Sequence, residues 1–160
     1  MKRTFGMLGL MAASLLVLAP PVSGQSGDPA TPPFNLEATL RPLEGGPADG
    51  FGLVRFRQPK DADVVAIVDV WVRDLGHDQT YLVQRAVDTN VNDVCTGTNW
   101  GMPTLGQIQT DGSGSGRAHL TRNLAAIPLG TEFDIHFRVF DPGTSTVVLQ
   151  SGCYQFVVSQ

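Results

Sequence analysis

The stretch that most restricts what this chain can fold into is VVAIVDVWVRDL, Val64 to Leu75. Its β-branched and aromatic content reads as a strand. Val64, Ala66, Val68, Val70 and Val72 fall on one parity, and Val65, Ile67, Asp69, Trp71 and Arg73 on the other. A strand with one solvated face alternates apolar with polar residues, whereas here both parities are apolar through the first half. The segment is therefore expected inside a sheet. Something must then shield Val65, Ile67 and Trp71, either the long loop downstream or the Pro-rich segment upstream. Left bare, that face would be an apolar patch offered to a partner.

Period-2 alternation recurs along the chain. Phe34, Leu36, Ala38 and Leu40 oppose Asn35, Glu37 and Thr39, and after the turn composition of PLEGGPADG the run Phe51 to Arg57 alternates in the same way. Thr80 to Val87 follows the long apolar strand after a short turn and is expected to form an antiparallel hairpin with it. Leu105 to Thr110 and Arg117 to Thr121 flank the flexible connection DGSGSG. Phe133, Ile135, Phe137 and Val139 alternate with Asp134, His136, Arg138 and Phe140; Val147 to Gln150 and Cys153 to Val158 close the chain, with a break at Ser151 and Gly152. Short strands at regular spacing with no ten-residue helix indicate an all-β fold: an antiparallel Greek-key (immunoglobulin-like) β-sandwich of about 7 to 9 strands, with an open barrel as the alternative.

The N-terminus speaks to compartment. Lys2 and Arg3 precede an apolar segment from Phe5 to Ala19, then Pro20, Pro21 and the small residues Val22, Ser23 and Gly24. This reads as a secretory signal peptide over residues 1–24, because the apolar run is shorter than the ~20 residues a membrane span needs. Residues 25–33 read as an extended Pro-rich leader, and 34–160 as a single domain. With the signal removed, nine Lys and Arg face fifteen Asp and Glu, a net charge of -6. That balance argues against nucleic acid and against anionic membrane surfaces as partners, and no stable membrane insertion is expected after cleavage. In an oxidising compartment Cys95 and Cys153 are expected to form a disulfide closing a loop of nearly sixty residues.

Asp88 to Thr104, DTNVNDVCTGTNWGMPT, is polar, long and tethered by Cys95, as binding loops often are. Asp88, Asn90, Asn92 and Asp93 resemble the oxygen-rich start of a calcium loop. However, Asp93 stands where an EF-hand needs Gly and Asn99 where it needs a bidentate Glu, so self-capping Asx-turns are the simpler reading. His119 and His136 lie on the polar parity of two strands; if those strands were neighbours, the imidazoles would converge as copper or zinc ligands. Ser113 and Ser115 do not fit a nucleophile elbow, and Asp61, Asp63, Asp69 and Asp74 read as strand-end and solvated charges. No cofactor is expected. The binding candidates are Trp100, Asn99, Asp93, Asn92 and Trp71, with Trp100 either a stacking platform or a plug beside the disulfide.

The runs FGLVRF, VVAIVDVWVRDL, TYLVQ and TDGSGSG together resemble the secreted chordin-type and copper/zinc superoxide dismutase-like sandwiches over roughly Phe51 to Val158. The resemblance implies the sandwich fold. Those families carry a metal-binding His-x-His pair after the central hairpin turn, and the corresponding slot here holds Tyr81, Leu82 and Val83. The leading expectation is thus a secreted, non-enzymatic module that binds a protein or glycan through the 88–104 loop. The competing ones are a divergent dismutase-like metalloprotein and a structural envelope or matrix protein.

Overall fold

The computed structural model describes residues 35–44, 46–59, 65–95 and 102–159. The expected signal sequence and leader, and Asn99 and Trp100, lie outside the described residues. Those residues form nine strands and no helix: β1 (Asn35–Pro42), β2 (Phe51–Arg57), β3 (Val65–Arg73), β4 (Thr80–Asp88), β5 (Thr104–Gln109), β6 (Gly116–Asn123), β7 (Glu132–Asp141), β8 (Thr146–Ser151) and β9 (Tyr154–Val157). All pairings are antiparallel, in the order β5-β4-β7-β8-β1-β2-β3-β6, with β9 on β7. The two ends of this order meet where Thr110 bridges Gly116, so the sheet curls into a nearly closed barrel.

The alternation seen in the sequence sets which residues turn inward. Leu36, Ala38 and Leu40 on β1, Val54 and Phe56 on β2, and Ala66, Val68, Val70 and Val72 on β3 are buried and meet Phe133, Ile135, Phe137 and Val139 of β7 in one core. Aromatic rings fill one end of it: Phe156 packs edge-on against Phe56 with centroids 4.5 Å apart and lies 5.3 Å from Phe133. The break expected at Ser151 and Gly152 separates β8 from β9. There Ser151 Oγ accepts a hydrogen bond from Phe137 N and donates one to Gly152 O, satisfying backbone groups that the interrupted ladder leaves free.

As expected, β3 is flanked on both edges, by β2 and β6. The expected β3–β4 hairpin does not form, because β4 pairs with β5 and β7 instead. The short turn does not fold β4 back onto β3; it crosses the end of the sheet, and the β5–β6 hairpin fills the space between them. The crossing is hydrogen-bonded throughout: Leu75 N donates to Gly114 O, Asp78 N to Asp111 O and Thr110 N to Gln79 O. Asp74 and Asp78 take left-handed backbone angles to make the bend, a conformation Asp tolerates better than most residues.

Candidate functional site

Paired residues on adjacent strands share a face, so strand register alone assembles rows across the outer side of β1, β2, β3 and β6. One row runs Glu37, Arg55, Asp69, His119, and the next runs Thr39, Leu53, Trp71, Arg117. Beside them Phe51 meets Trp71 in an edge-on contact at 5.8 Å, with the guanidinium groups of Arg41 and Arg73 at 4.9 and 5.2 Å from the Phe51 ring. Leu53, Arg55, Asp69, Trp71, Arg117 and His119 line an open cleft of about 650 Å³.

Asp69 is the hub of this face. Its Oδ1 lies 2.6 Å from His119 Nδ1, and its Oδ2 accepts a hydrogen bond from Arg57 Nη2 at 2.6 Å. The His119 hydrogen bond, with help from Arg57 and against partial desolvation, holds the Asp69 carboxyl below the usual carboxylate range. An ionised carboxylate only accepts, so His119 Nδ1–H is the donor of this contact. The side chain of His119 is 65% exposed. The residues lining the cleft include this imidazole and carboxylate. The expectation that Asp69 is simply solvated gives way to this mid-strand network. The sequence signal was a single acid on an otherwise apolar parity of an interior strand.

Charge is distributed unevenly. Of the nine basic residues that follow the signal, five (Arg41, Arg55, Arg57, Arg73 and Arg117) stand on this face. Arg55 pairs with Glu37, Arg57 with Asp69 and Arg73 with Asp74. Arg41 and Arg117 have no carboxylate partner among the described residues, which leaves a positive face on an acidic protein.

Trp71, Val65 and Ile67 are half-buried. The described part of the 88–104 loop does not shield them, because it lies on the other side of the molecule against β7. There Asn92 N donates to Asp134 Oδ2, and the Cys95–Cys153 disulfide joins the middle of the loop to the β8–β9 junction. Within the loop Asp88 Oδ1 accepts from Asn90 N and Asn92 Oδ1 from Val94 N, the Asx-turns that explain its oxygen-rich composition; Asp93 is left-handed. The structure separates the two histidines. His119 on β6 faces β3, whereas His136 on β7 faces β4, so the strands are not neighbours and the expected route to a His119–His136 pair is absent. Among the described residues no group of three or more His, Cys, Asp and Glu is arranged to hold a metal.

His136, Cys95, Met102 and Arg138 line a second cleft of about 450 Å³. Burial pushes the His136 pKa down from 6.5, assisted by Arg138 and opposed by hydrogen bonding to the backbone of Gly152 and Ser151. A histidine with a depressed folded-state pKa takes up its proton more readily in the unfolded chain. Its cost is therefore absent above pH 6.5 and grows as pH falls below that value, until the folded-state pKa is reached. The melting temperature is expected to fall by a few degrees between neutral and mildly acid pH, with a shallower slope in His136→Gln; equal slopes in the two proteins would contradict this assignment.

No protein-family model, curated protein or solved structure matches the chain.

Proposed function

We propose that this protein is an exported, non-enzymatic binding module that holds an acidic glycan on the outer face of β1, β2, β3 and β6. The observation that carries the reading is the placement of Arg41, Arg73 and Arg117 beside Trp71 and Phe51 on a chain that is otherwise acidic. Sugar rings stack on aromatic faces, and guanidinium groups take carboxylates or sulfates in bidentate geometry. The disulfide fits export to an oxidising compartment.

For the fold, the reading is a Greek-key sandwich of the kind the sequence resembles. The run β3-β6-β5-β4 supports it: β4, β5 and β6 are neighbours in chain order and in space, and β3 lies beside β6, the 4-1-2-3 arrangement of a Greek key counted from β6.

The test is calorimetric titration with an oligogalacturonate and with a neutral glucan of equal length. The acidic sugar is expected to bind, more weakly as salt rises, and Trp71→Ala or Arg117→Ala to weaken it by about tenfold, or ~1.4 kcal/mol. No binding of the acidic sugar, or equal binding of the neutral one, would remove the proposal. Stoichiometric copper or zinc in the purified protein would favour the dismutase-like alternative, and self-association that rises with concentration would favour the structural one.

A further inference from the structure

The inner face of β4 does not stay buried along its length. Tyr81 and Val83 are in the core, Arg85 is half-buried and Val87 is 39% exposed, so the barrel interior opens toward the end of this strand. Register puts Arg85 on the same side as core residue Phe137, and Arg122 of β6 on the same side as core residue Ala66. Arg85 therefore points into the barrel, and the exposed Arg122 stands at its rim on the same side. They line one cavity of about 150 Å³, whose other walls include Phe56, Leu105, Leu124 and Ile127.

Two like charges at the mouth of an apolar cavity repel each other, and the half-buried Arg85 also loses hydration. Burial, reinforced by the nearby Arg122 charge, pushes the Arg85 pKa down. No carboxylate pairs with either guanidinium among the described residues. The β5–β6 seam, bridged at Thr110 and Gly116, lies at the opposite end of these strands, so the cavity is at the open end of the barrel.

We infer that this cavity is a binding site for a small amphipathic carboxylate, its apolar body between Phe56, Leu105 and Ile127 and its anionic group shared by Arg85 and Arg122. The volume sets the size of the body, since an apolar cavity of about 150 Å³ accommodates a benzene ring. A bound carboxylate would supply the anion that the paired guanidinium groups lack. The site is separate from the outer face and does not depend on the glycan reading.

Benzoate is the probe, with benzyl alcohol as its uncharged counterpart and acetate as the anion without a ring. Benzoate is expected to bind the full chain at least about tenfold more tightly than either control, and to shift the amide signals of Leu105 and Ile127 in NMR spectra. Arg85→Met and Arg122→Met each preserve much of the side chain's length while removing its charge, and each is expected to weaken benzoate about tenfold without weakening benzyl alcohol. Unchanged thermal unfolding of the methionine variants shows that the fold is retained; if one is destabilised, the other carries the comparison. Equal binding of benzyl alcohol and benzoate would overturn the inference and leave the arginines as guards of an open strand edge. Absence of benzoate binding, or benzoate affinity unchanged in both variants, would overturn it as well.

Discussion

Removing the Cys95–Cys153 bridge, by reduction or by replacing both cysteines with serine, is expected to lower the unfolding free energy by about 4 kcal/mol. The two residues are 58 apart in sequence, and a cross-link closing a loop of that length withdraws a large share of conformational freedom from the unfolded chain. For a domain of this size the melting temperature would drop by roughly 15 °C. The loss has a local origin too. The bridge anchors the loop after β4 to the β8–β9 junction, so without it the segment that reaches Asp134 through Asn92 and walls in His136 is held by much less. The pH slope assigned to His136 should then flatten, because an imidazole returned to solvent regains its ordinary pKa. Denaturant unfolding with and without reductant measures the stability. A loss below about 1 kcal/mol would mean that the unfolded chain is already restricted in this region or that the loop keeps its place unaided.

What the sequence made legible follows from local periodicity. β1, β2 and β7 announced themselves by alternation, and the β2 limits, Phe51 to Arg57, coincide with the sequence reading. The interior position of β3 followed from its two apolar parities. The partner of β3 was not legible, because pairing between distant strands is decided by how the whole sheet closes and not by the residues of one turn. A short connection predicts a hairpin only where the two strands bury each other's edges. Here β6 satisfies the β3 edge better, and the turn is held by Asp111 and Gly114 from a loop more than thirty residues later. The same limit hid the site. Glu37, Arg55, Asp69 and His119 come from four strands and share a row only once register is known. Taken singly, each is an ordinary polar residue on a strand. The loop that looked most functional draws attention by composition, yet the side-chain oxygens of Asp88 and Asn92 serve its own backbone.

Replacing Gly114 with alanine is expected to destabilise the protein by about 3 kcal/mol or more, while the same change at Gly130 should cost only about 1 kcal/mol. The pair separates two effects usually confounded at glycines. Their backbone angles are nearly the same, φ +75° at Gly114 and +79° at Gly130, so the intrinsic penalty for a side chain in the left-handed region is common to both. Their surroundings differ. A Cβ on Gly114 would sit 2.3 Å from the carbonyl oxygen of Leu75 and 3.2 Å from its nitrogen, whereas among the described residues nothing beyond the chain neighbours lies within 4 Å of one on Gly130. The clash at Gly114 is with backbone and cannot be relieved by turning a side chain. Relief requires moving the β3–β4 crossing away from the β5–β6 turn, which breaks the Leu75–Gly114 hydrogen bond and loosens the contact near Thr110 and Gly116 where the barrel closes. Asp111 opposes that movement: its carboxylate accepts hydrogen bonds from Ser113 N, Ser113 Oγ and Ser115 N, so the loop has little freedom to yield. Urea unfolding of the two variants side by side gives the difference directly. Equal losses would show that the crossing is pliant, and that the closure of the barrel does not depend on the approach of these two backbones.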